Sequence, residues 1–206
     1  MSNFIYPNIS HLPWSKWVRD GDVIQTDLNH LNHNNIIVLE KMDGIPVIIS
    51  SDRIIFKKDV SDISKEYLES IRTEKLSKLS NNIWFVGDIL LERRLYHYDM
   101  LPDYFLLYGM FVNDIFLNWE VTAKYAEELS LKMVPILYKG IYDEELIKKC
   151  YTGESVYGKY QEGYIVRRVD TFLLDSIKTN ILKYVSRDKL DIASSNNKLF
   201  NRTKEI

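Results

Sequence analysis

The sequence predicts a single α+β domain in which antiparallel sheets are flanked by a few helices. Short runs rich in β-branched and aromatic residues recur along the chain, and such runs are typical of strands. Three other segments are typical of helices, and the longest of them spaces its apolar residues near 3.6 positions apart. No Pro-, Gly- or Ser-rich linker, low-complexity tract or internal repeat divides the 206 residues, so we expect one core.

The composition is that of an ordinary globular protein, with 46% hydrophobic and 27% charged residues. The net charge of −2 does not identify a nucleic-acid binder. From residue 159 onward, however, ten Lys and Arg stand against six Asp and Glu, which fits either phosphate contacts or a solvated tail. The single cysteine, Cys150, favours a reducing compartment. Because neither a signal peptide nor a membrane span is visible, we expect a cytoplasmic protein without a membrane partner.

Residues 1–35 are predicted to be irregular, because Pro, Gly, Asn and His interrupt any periodic pattern. Trp14 and Trp17 are expected to anchor this segment to the core. The segment also holds three histidines that are candidate metal ligands: His11, His30 and His33. Their spacing matches no compact metal site, so a structural role is the competing interpretation.

The remaining elements follow from apolar runs and capping residues. The predicted strands span residues 36–39, 47–49, 54–56, 83–90, 104–112, 134–138, 161–168 and 181–185. The run at 104–112 is nearly all apolar, which predicts a central strand. The predicted helices span residues 61–80, 118–132 and 143–150. Ser61 and Asn118 are suitable N-caps, because their side-chain oxygens can accept hydrogen bonds from N–H groups of the first turn.

Lys41 lies between two carboxylates, Glu40 and Asp43, at the junction of the first two predicted strands. Lys-x-Asp-Gly at such a junction resembles the nucleophile motif of DNA ligases, RNA ligases and mRNA-capping enzymes. That chemistry needs a lysine amine that is deprotonated near neutral pH, which burial and neighbouring cations favour. Taken alone, the motif favours a hairpin turn over a nucleophile, because Asp-Gly is a favoured pair in hairpins.

Arg53 follows Lys41 by 12 positions, on the next predicted turn. A guanidinium group there could grip a phosphate with its fork of donors. An exposed turn arginine is the competing interpretation.

Four strand-borne signals occur in one order along the chain: Lys-x-Asp-Gly at 41–44, Gly-Asp at 87–88, Glu-Gly-Tyr-Ile-Val-Arg at 162–167 and Leu-Lys-Tyr-Val at 182–185. This order resembles motifs I, III, IV and V of the RNA ligase 2-like family of covalent lysyl-nucleotidyltransferases. The resemblance covers about residues 6–187 and leaves residues 188–206 as a tail or short carboxy-terminal extension. It implies a single, minimal nucleotidyltransferase domain with the ATP-grasp-like fold of ligase adenylation domains.

The resemblance also implies catalytic roles for three residues. Lys41 would form the covalent lysyl-AMP, Glu162 would bind a divalent cation or its water shell, and Lys183 would steady the α-phosphate. The other implied nucleotide-binding residues are Glu40, Met42, Asp43, Arg53, Asp88 and Tyr108.

Each of these contacts has an implied partner on the ligand. The main chain around Glu40 and Met42 would border the adenine, on which Tyr108 would stack. Asp88 would bind the ribose hydroxyls, and Arg53 would hold the ribose or the 5′-phosphate of the nucleic acid. Arg167, the last residue of the third strand-borne signal, is either a ligand contact or a strand-edge charge.

Four positions depart from the family pattern. Asp88 replaces the usual glutamate, Gly109 stands where aspartate is common, Pro46 where asparagine is frequent, and Val185 where many relatives carry a second lysine. A catalytically weak RNA- or nucleotide-binding module is therefore an alternative to an active enzyme.

The function implied by the resemblance is that of an ATP-dependent RNA ligase using Mg²⁺ or Mn²⁺ and acting on RNA with 5′-phosphate and 3′-hydroxyl ends. Capping guanylyltransferases and DNA ligases share the lysine motif, but they normally carry an additional OB-type domain that this length does not accommodate. End recognition is expected to be weak or to come from an accessory protein. The Asn-, Ile-, Lys- and Tyr-heavy composition suggests an AT-rich genome, such as that of a phage or large virus.

Overall fold

The computed structural model of the protein describes residues 7–188 and 200–204. The loop predicted at residues 193–197 and the first six residues lie outside this description. Within it, no helix is long and apolar enough to cross a membrane.

Two β-sheets form the framework of the described residues. In chain order their strands are β1 (Ser10–His11), β2 (Asn35–Lys41), β3 (Ile45–Ile49), β4 (Ile54–Phe56), β5 (Ile83–Ile89), β6 (Phe105–Val112), β7 (Ile115–Phe116), β8 (Lys132–Met133), β9 (Ile136–Ile141), β10 (Gly163–Arg168), β11 (Phe172–Leu173) and β12 (Ile181–Val185). One sheet has the order β1-β12-β10-β2-β9, and the other has the order β11-β7-β6-β5-β3-β4 with β8 beside β6. Only the β1–β12 and β6–β8 pairs are parallel among these strands. The predicted α+β class with antiparallel sheets is confirmed.

The segment after Lys41 carries the chain from one sheet to the other. β2 pairs with β9 and β10, whereas β3 pairs with β4 and β5, so the two strands are not hydrogen-bonded to each other. The hairpin interpretation of Lys-x-Asp-Gly is therefore wrong. A Cβ atom on Gly44 would lie only 2.6 Å from the Cβ of Asp88, so glycine is required for this close crossing.

The helices are α1 (Asp62–Ile71), α2 (Trp119–Glu128), α3 (Glu144–Lys149) and α4 (Ile177–Asn180). The predicted caps are confirmed, because the side chains of Ser61 and Asn118 accept hydrogen bonds from the N–H groups of Ser64 and Val121. The first helix continues as a π-helical turn and ends at Leu76 rather than at residue 80. The second ends before residue 132, because Ser130 has a φ of 52°, which a right-handed helix cannot contain.

Four hydrophobic clusters of described residues fill the spaces around the two sheets. α1 and α2 pack on the outer face of the β5–β6 sheet, through residues such as Leu68 and Ala126. α3 and the amino-terminal segment cover the outer face of the β10–β12 sheet, through Ile147 and Leu12. The inner faces meet in two clusters that join strands of both sheets. Where the inner faces are not packed together, they border a cleft.

The carboxy-terminal residues 200–204 pack against the domain instead of fraying. Asn201 is only 1% exposed, and its side chain donates to the carbonyl of Leu90 (2.7 Å) and accepts from the N–H of Tyr98 (2.9 Å). The hydroxyl oxygen of Tyr98 in turn accepts from the N–H of Asp43 (2.9 Å). This segment thus supports the loop that carries the Lys-x-Asp-Gly motif.

Replacing Asn201 with alanine should lower the free energy of unfolding by about 1–3 kcal/mol, because it strands a buried carbonyl and a buried N–H group. Urea denaturation of the variant beside Asn32→Ala, which alters an exposed asparagine, measures the effect. Equal stability of the two variants would show that the packed position of residues 200–204 contributes nothing.

Candidate active site

A cleft with a volume of about 260 Å³ opens between the two sheets. Lys41 of β2, Ile165 of β10 and Lys183 of β12 line it from one sheet. Pro46 of β3, Asp88 of β5 and Tyr108 of β6 line it from the other. All four strand-borne signals found in the sequence therefore contribute strand residues to one cavity, and Glu162, directly before β10, also lines it.

Strand pairing explains why these side chains meet. Ile165 is the register partner of both Leu39 and Lys183, so the three side chains stand next to each other on the inner face of their sheet. Gly163 is likewise the partner of Lys41, which brings the preceding residue, Glu162, to the lysine.

Lys41 and Glu162 form a largely buried ion pair. The Nζ of Lys41 donates to the Oε2 of Glu162 at 2.6 Å, and the two side chains are 23% and 6% exposed. Burial alone would lower the pKa of Lys41, but the charges of Glu162, Asp43 and Asp88 outweigh it and raise that pKa. Burial also raises the pKa of Glu162, which opposes the ion pair. The short contact supports the charged pair, so Lys41 rests as an ammonium group without a ligand.

Asp88 and Asp43 play different parts beside this pair. Burial raises the pKa of Asp88 to about 7, against a lowering by the Lys41 charge. No side chain or N–H group of the described residues donates a hydrogen bond to its carboxylate. Asp43 is used structurally, because its Oδ2 accepts from the N–H groups of Leu95 (2.6 Å) and Tyr96 (3.1 Å).

Tyr108 lies on the cleft wall above a buried arginine. The Nη1 of Arg167 donates to the carbonyl of Tyr108 at 3.2 Å, and its Nη2 donates to the carbonyl of Leu117 at 2.9 Å. Arg167 is 1% exposed and its Cζ lies 4.9 Å from the centroid of the Phe116 ring. It therefore ties the two sheets together and is not a strand-edge charge.

Packing also accounts for the glycine that follows Tyr108. A Cβ atom on Gly109 would lie 2.2 Å from the ring of Phe116, so no other side chain fits there. The departure at this position is thus compensated by an aromatic ring that occupies the space.

Arg53 is the predicted site residue that the structure does not bring to the cleft. The turn that carries it lies at the far end of the β3–β4 hairpin, roughly 13 Å from the cleft end of β3 at about 3.3 Å per residue. There its guanidinium group lies over the Trp84 ring, 5.4 Å from the centroid, and 3.5 Å from Asp52. β4 returns the chain to the cleft at Lys57, whose N–H group donates to the carbonyl of Pro46. Arg53 is therefore not among the residues that line the cleft, and its contact with the ribose or with the 5′-phosphate of the nucleic acid stays a prediction.

The amino-terminal segment contributes to the cleft in a way that the sequence does not predict. The Oδ2 of Asp22 lies 3.3 Å from the Nζ of Lys183 and 2.9 Å from the Nε2 of His11. The Nδ1 of His11 lies 2.8 Å from the hydroxyl of Ser15. Burial lowers the pKa of Lys183, and Asp22 offsets part of that change. Since β1 has only two residues, no periodic pattern could have revealed this arrangement.

Two of the three candidate histidines, His11 and His30, each have a protein partner for at least one ring nitrogen. His11 is fully buried and both of its ring nitrogens have partners. His30 contacts the carbonyl of Thr179 at 2.6 Å. Among the described residues, no group of three or more Asp, Glu, His or Cys side chains is arranged as a metal site.

A hydrated divalent cation nevertheless fits the cleft. Mg²⁺ usually keeps several waters and takes only one or two carboxylates from the protein. Glu162 and Asp88 are two such buried carboxylates, and the charge of Glu162 adds to burial in raising the pKa of Asp88. A nearby cation would lower the raised pKa values of Asp88 and Glu162, and it would give the Asp88 carboxylate a partner that it lacks among the described residues.

Comparison with known proteins agrees with this architecture. A family model described as RNA ligase matches residues 34–185. No curated protein matches the sequence. Among solved structures, the chain resembles a Naegleria gruberi RNA ligase with PPi (TM-score 0.60, 19% identity), over 89% of this chain and 61% of that one. It also resembles mutants of that ligase with ATP and Mn (TM-score 0.57, 17% identity) and with AMP and Mn (TM-score 0.56, 15% identity), each over 78% of this chain and 52% of that one.

These TM-scores show a shared nucleotidyltransferase fold, and the chain spans about half to three-fifths of the length of those ligase chains. The family model matches about three-quarters of the sequence and includes Lys41, Asp88, Glu162 and Lys183. The chain belongs to the RNA ligase family.

Proposed function

We propose that this protein is an ATP-dependent RNA ligase that acts through a covalent lysyl-AMP. The observation that carries the proposal is the position of Lys41, which stands in the cleft between the sheets beside Glu162 and Asp88. Membership of the RNA ligase family supports RNA as the substrate class. The related ligase structures with ATP and Mn and with AMP and Mn support ATP and a divalent cation as cofactors.

The first step joins the Nζ of Lys41 to the α-phosphorus of ATP and releases pyrophosphate. The lysine must lose a proton to attack, and in the ligand-free protein three carboxylates oppose that loss. A divalent cation held by Glu162 and Asp88 would neutralise those carboxylates and favour the neutral amine. Lys183, with its lowered pKa and its Asp22 partner, is placed to balance negative charge on the α-phosphate.

Two further transfers complete the reaction. The AMP passes from Lys41 to the 5′-phosphate of an RNA end, and a 3′-hydroxyl then displaces AMP and forms the new phosphodiester. Such phosphoryl transfers are catalysed mainly by positioning and charge neutralisation. Tyr108 would stack on the adenine, and the main chain around Glu40 and Met42 would border its edge.

The finer assignments also belong to this proposal. The RNA ends are a 5′-phosphate and a 3′-hydroxyl. Their selection depends on an accessory protein, or on protein segments like those parts of the related ligases that this chain does not match. The protein acts in the cytoplasm and is encoded by a phage or large virus.

Incubation of the purified protein with ATP, Mg²⁺ and 5′-phosphorylated RNA, nicked or single-stranded, tests the proposal. We expect adenylated 5′ ends and sealed strands, and no adenylated ends when the RNA carries a 5′-hydroxyl. The absence of both products at every metal ion and pH tried would refute it.

Labelling with radioactive ATP or GTP separates this function from capping. An adduct with GTP alone would indicate a guanylyltransferase. Binding of ATP without any adduct would indicate a nucleotide-binding module, for which the short side chain of Asp88 and the missing second lysine at Val185 would be the reason.

A further inference from the structure

Trp17 holds two arginine side chains at the cleft. The Cζ of Arg187 lies 3.4 Å from the centroid of the Trp17 ring, and the Cζ of Arg19 lies 5.1 Å from it. The N–H group of Trp17 donates to the carbonyl of Val185 at 3.0 Å. This bond holds Trp17 beside Val185, the last residue of β12, which precedes Arg187 by two positions.

Neither guanidinium group has a hydrogen bond or an ion pair with any residue that the structure describes. The Nε of Arg187 is buried and lacks an acceptor among them. Buried guanidinium donors normally find acceptors, because an unmet donor costs free energy. Stacking fixes the plane of a guanidinium group and leaves its donors available to a planar or tetrahedral anion.

Both arginines lie in the cleft in which the proposed first step takes place. They line the same cleft as Lys41 and Lys183. In total, eight Lys and Arg and five Asp and Glu line it, so its wall favours a polyanion. Lys41 and Lys183 already serve the α-phosphate, whereas Arg19 and Arg187 have no role in that assignment.

We propose that Trp17, Arg19 and Arg187 form a second phosphate subsite, which binds phosphate groups other than the α-phosphate of ATP. This inference rests on the proposed function and deepens it. The ligand chemistry is a multiply charged phosphate. Its source is either the pyrophosphate portion of ATP or the 5′-phosphate of the RNA. Trp17 is a positioning residue here, and the two guanidinium groups make the contacts.

Direct binding measurements test the subsite without relying on covalent chemistry. Calorimetric titrations with inorganic pyrophosphate, with AMP, and with 5′-phosphorylated and 5′-hydroxyl RNA would be made on the full chain. We expect Arg187→Ala to weaken pyrophosphate binding at least about tenfold, because it removes a charge-assisted fork of donors. Arg187→Lys should recover only part of that loss, and AMP should bind within about twofold of wild type.

Two further variants keep the test interpretable. Arg19 is exposed, so Arg19→Ala should fold normally and still weaken pyrophosphate binding. Arg72→Ala removes a guanidinium group that pairs with Glu69 outside the cleft, and it should bind pyrophosphate as wild type does. If Arg187→Ala fails to fold, Arg19→Ala and Arg187→Lys carry the comparison.

The outcomes distinguish the sources and the two proposals. Weaker binding of pyrophosphate assigns the subsite to ATP, and weaker binding of 5′-phosphorylated RNA alone assigns it to the RNA. Unchanged binding of both ligands in all arginine variants would overturn the subsite and leave the stack as an anchor for the amino-terminal segment. If pyrophosphate binding depends on these arginines but the protein never forms lysyl-AMP, the ligase proposal is refuted and the subsite stands.

Discussion

Replacement of Lys41 with alanine or arginine is expected to abolish the covalent AMP adduct. The intact mass of the wild-type protein should rise by one AMP after incubation with ATP and a divalent cation, because the amine attacks the α-phosphate. Lys41→Ala also leaves Glu162 buried without its partner, which can destabilise the fold by several kcal/mol. Lys41→Arg keeps a positive charge opposite Glu162, but a guanidinium group stays protonated and does not attack.

The comparison of these two variants separates nucleophilicity from charge and folding. Lys139→Ala is the matched control, because this lysine pairs with Glu120 on the surface, and its adduct should form as in wild type. An adduct that survives in folded Lys41→Arg would place the nucleophile elsewhere, with Lys183 the first residue to test.

The sequence could predict the parts of the site that lie in strands with short local signatures. Lys41, Asp88, Glu162 and Lys183 each belong to a strand-borne signal, and register pairing brings those strands to one cleft. The predicted strands recur in the structure with shifts of a few residues at their ends, as at Ile136–Ile141, which was expected at 134–138. Periodicity locates a strand better than it locates the residues at which pairing stops.

The parts that the sequence could not predict depend on distant packing. Asp22 and Arg19 reach the cleft, and Arg187 meets Trp17, because an irregular segment docks beside β12, and no local pattern encodes that contact. The spacing of 12 positions after Lys41 predicts a site role for Arg53, but the β3–β4 hairpin carries Arg53 away from the cleft and brings Lys57 to it. The burial of Asn201 arises from a segment more than 100 residues away in sequence from its partner Leu90.

Asp88→Asn should raise the free energy of unfolding of the ligand-free protein at pH 8. Burial raises the pKa of Asp88 from 3.8 to about 7, so the folded state prefers the protonated acid. The stability that this preference contributes is complete below about pH 4 and is lost as the pH rises through 7. About three pKa units, at about 1.4 kcal/mol each, set an upper limit on the order of 4 kcal/mol. Asparagine is neutral like the protonated acid, so the variant does not lose this stability as the pH rises.

Urea denaturation of wild type and Asp88→Asn at pH 5 and pH 8 measures the effect. The gain in stability should be larger at pH 8, and Asp114→Asn, an exposed acid, should show little difference between the two pH values. Added Mg²⁺ at pH 8 should stabilise wild type more than Asp88→Asn, because ligand binding to the folded state stabilises it and the variant lacks one carboxylate. A variant that is destabilised at pH 8, or equally responsive to Mg²⁺, would contradict the charged role of Asp88. A carboxylate that is kept at a cost in stability is expected where the site needs its charge.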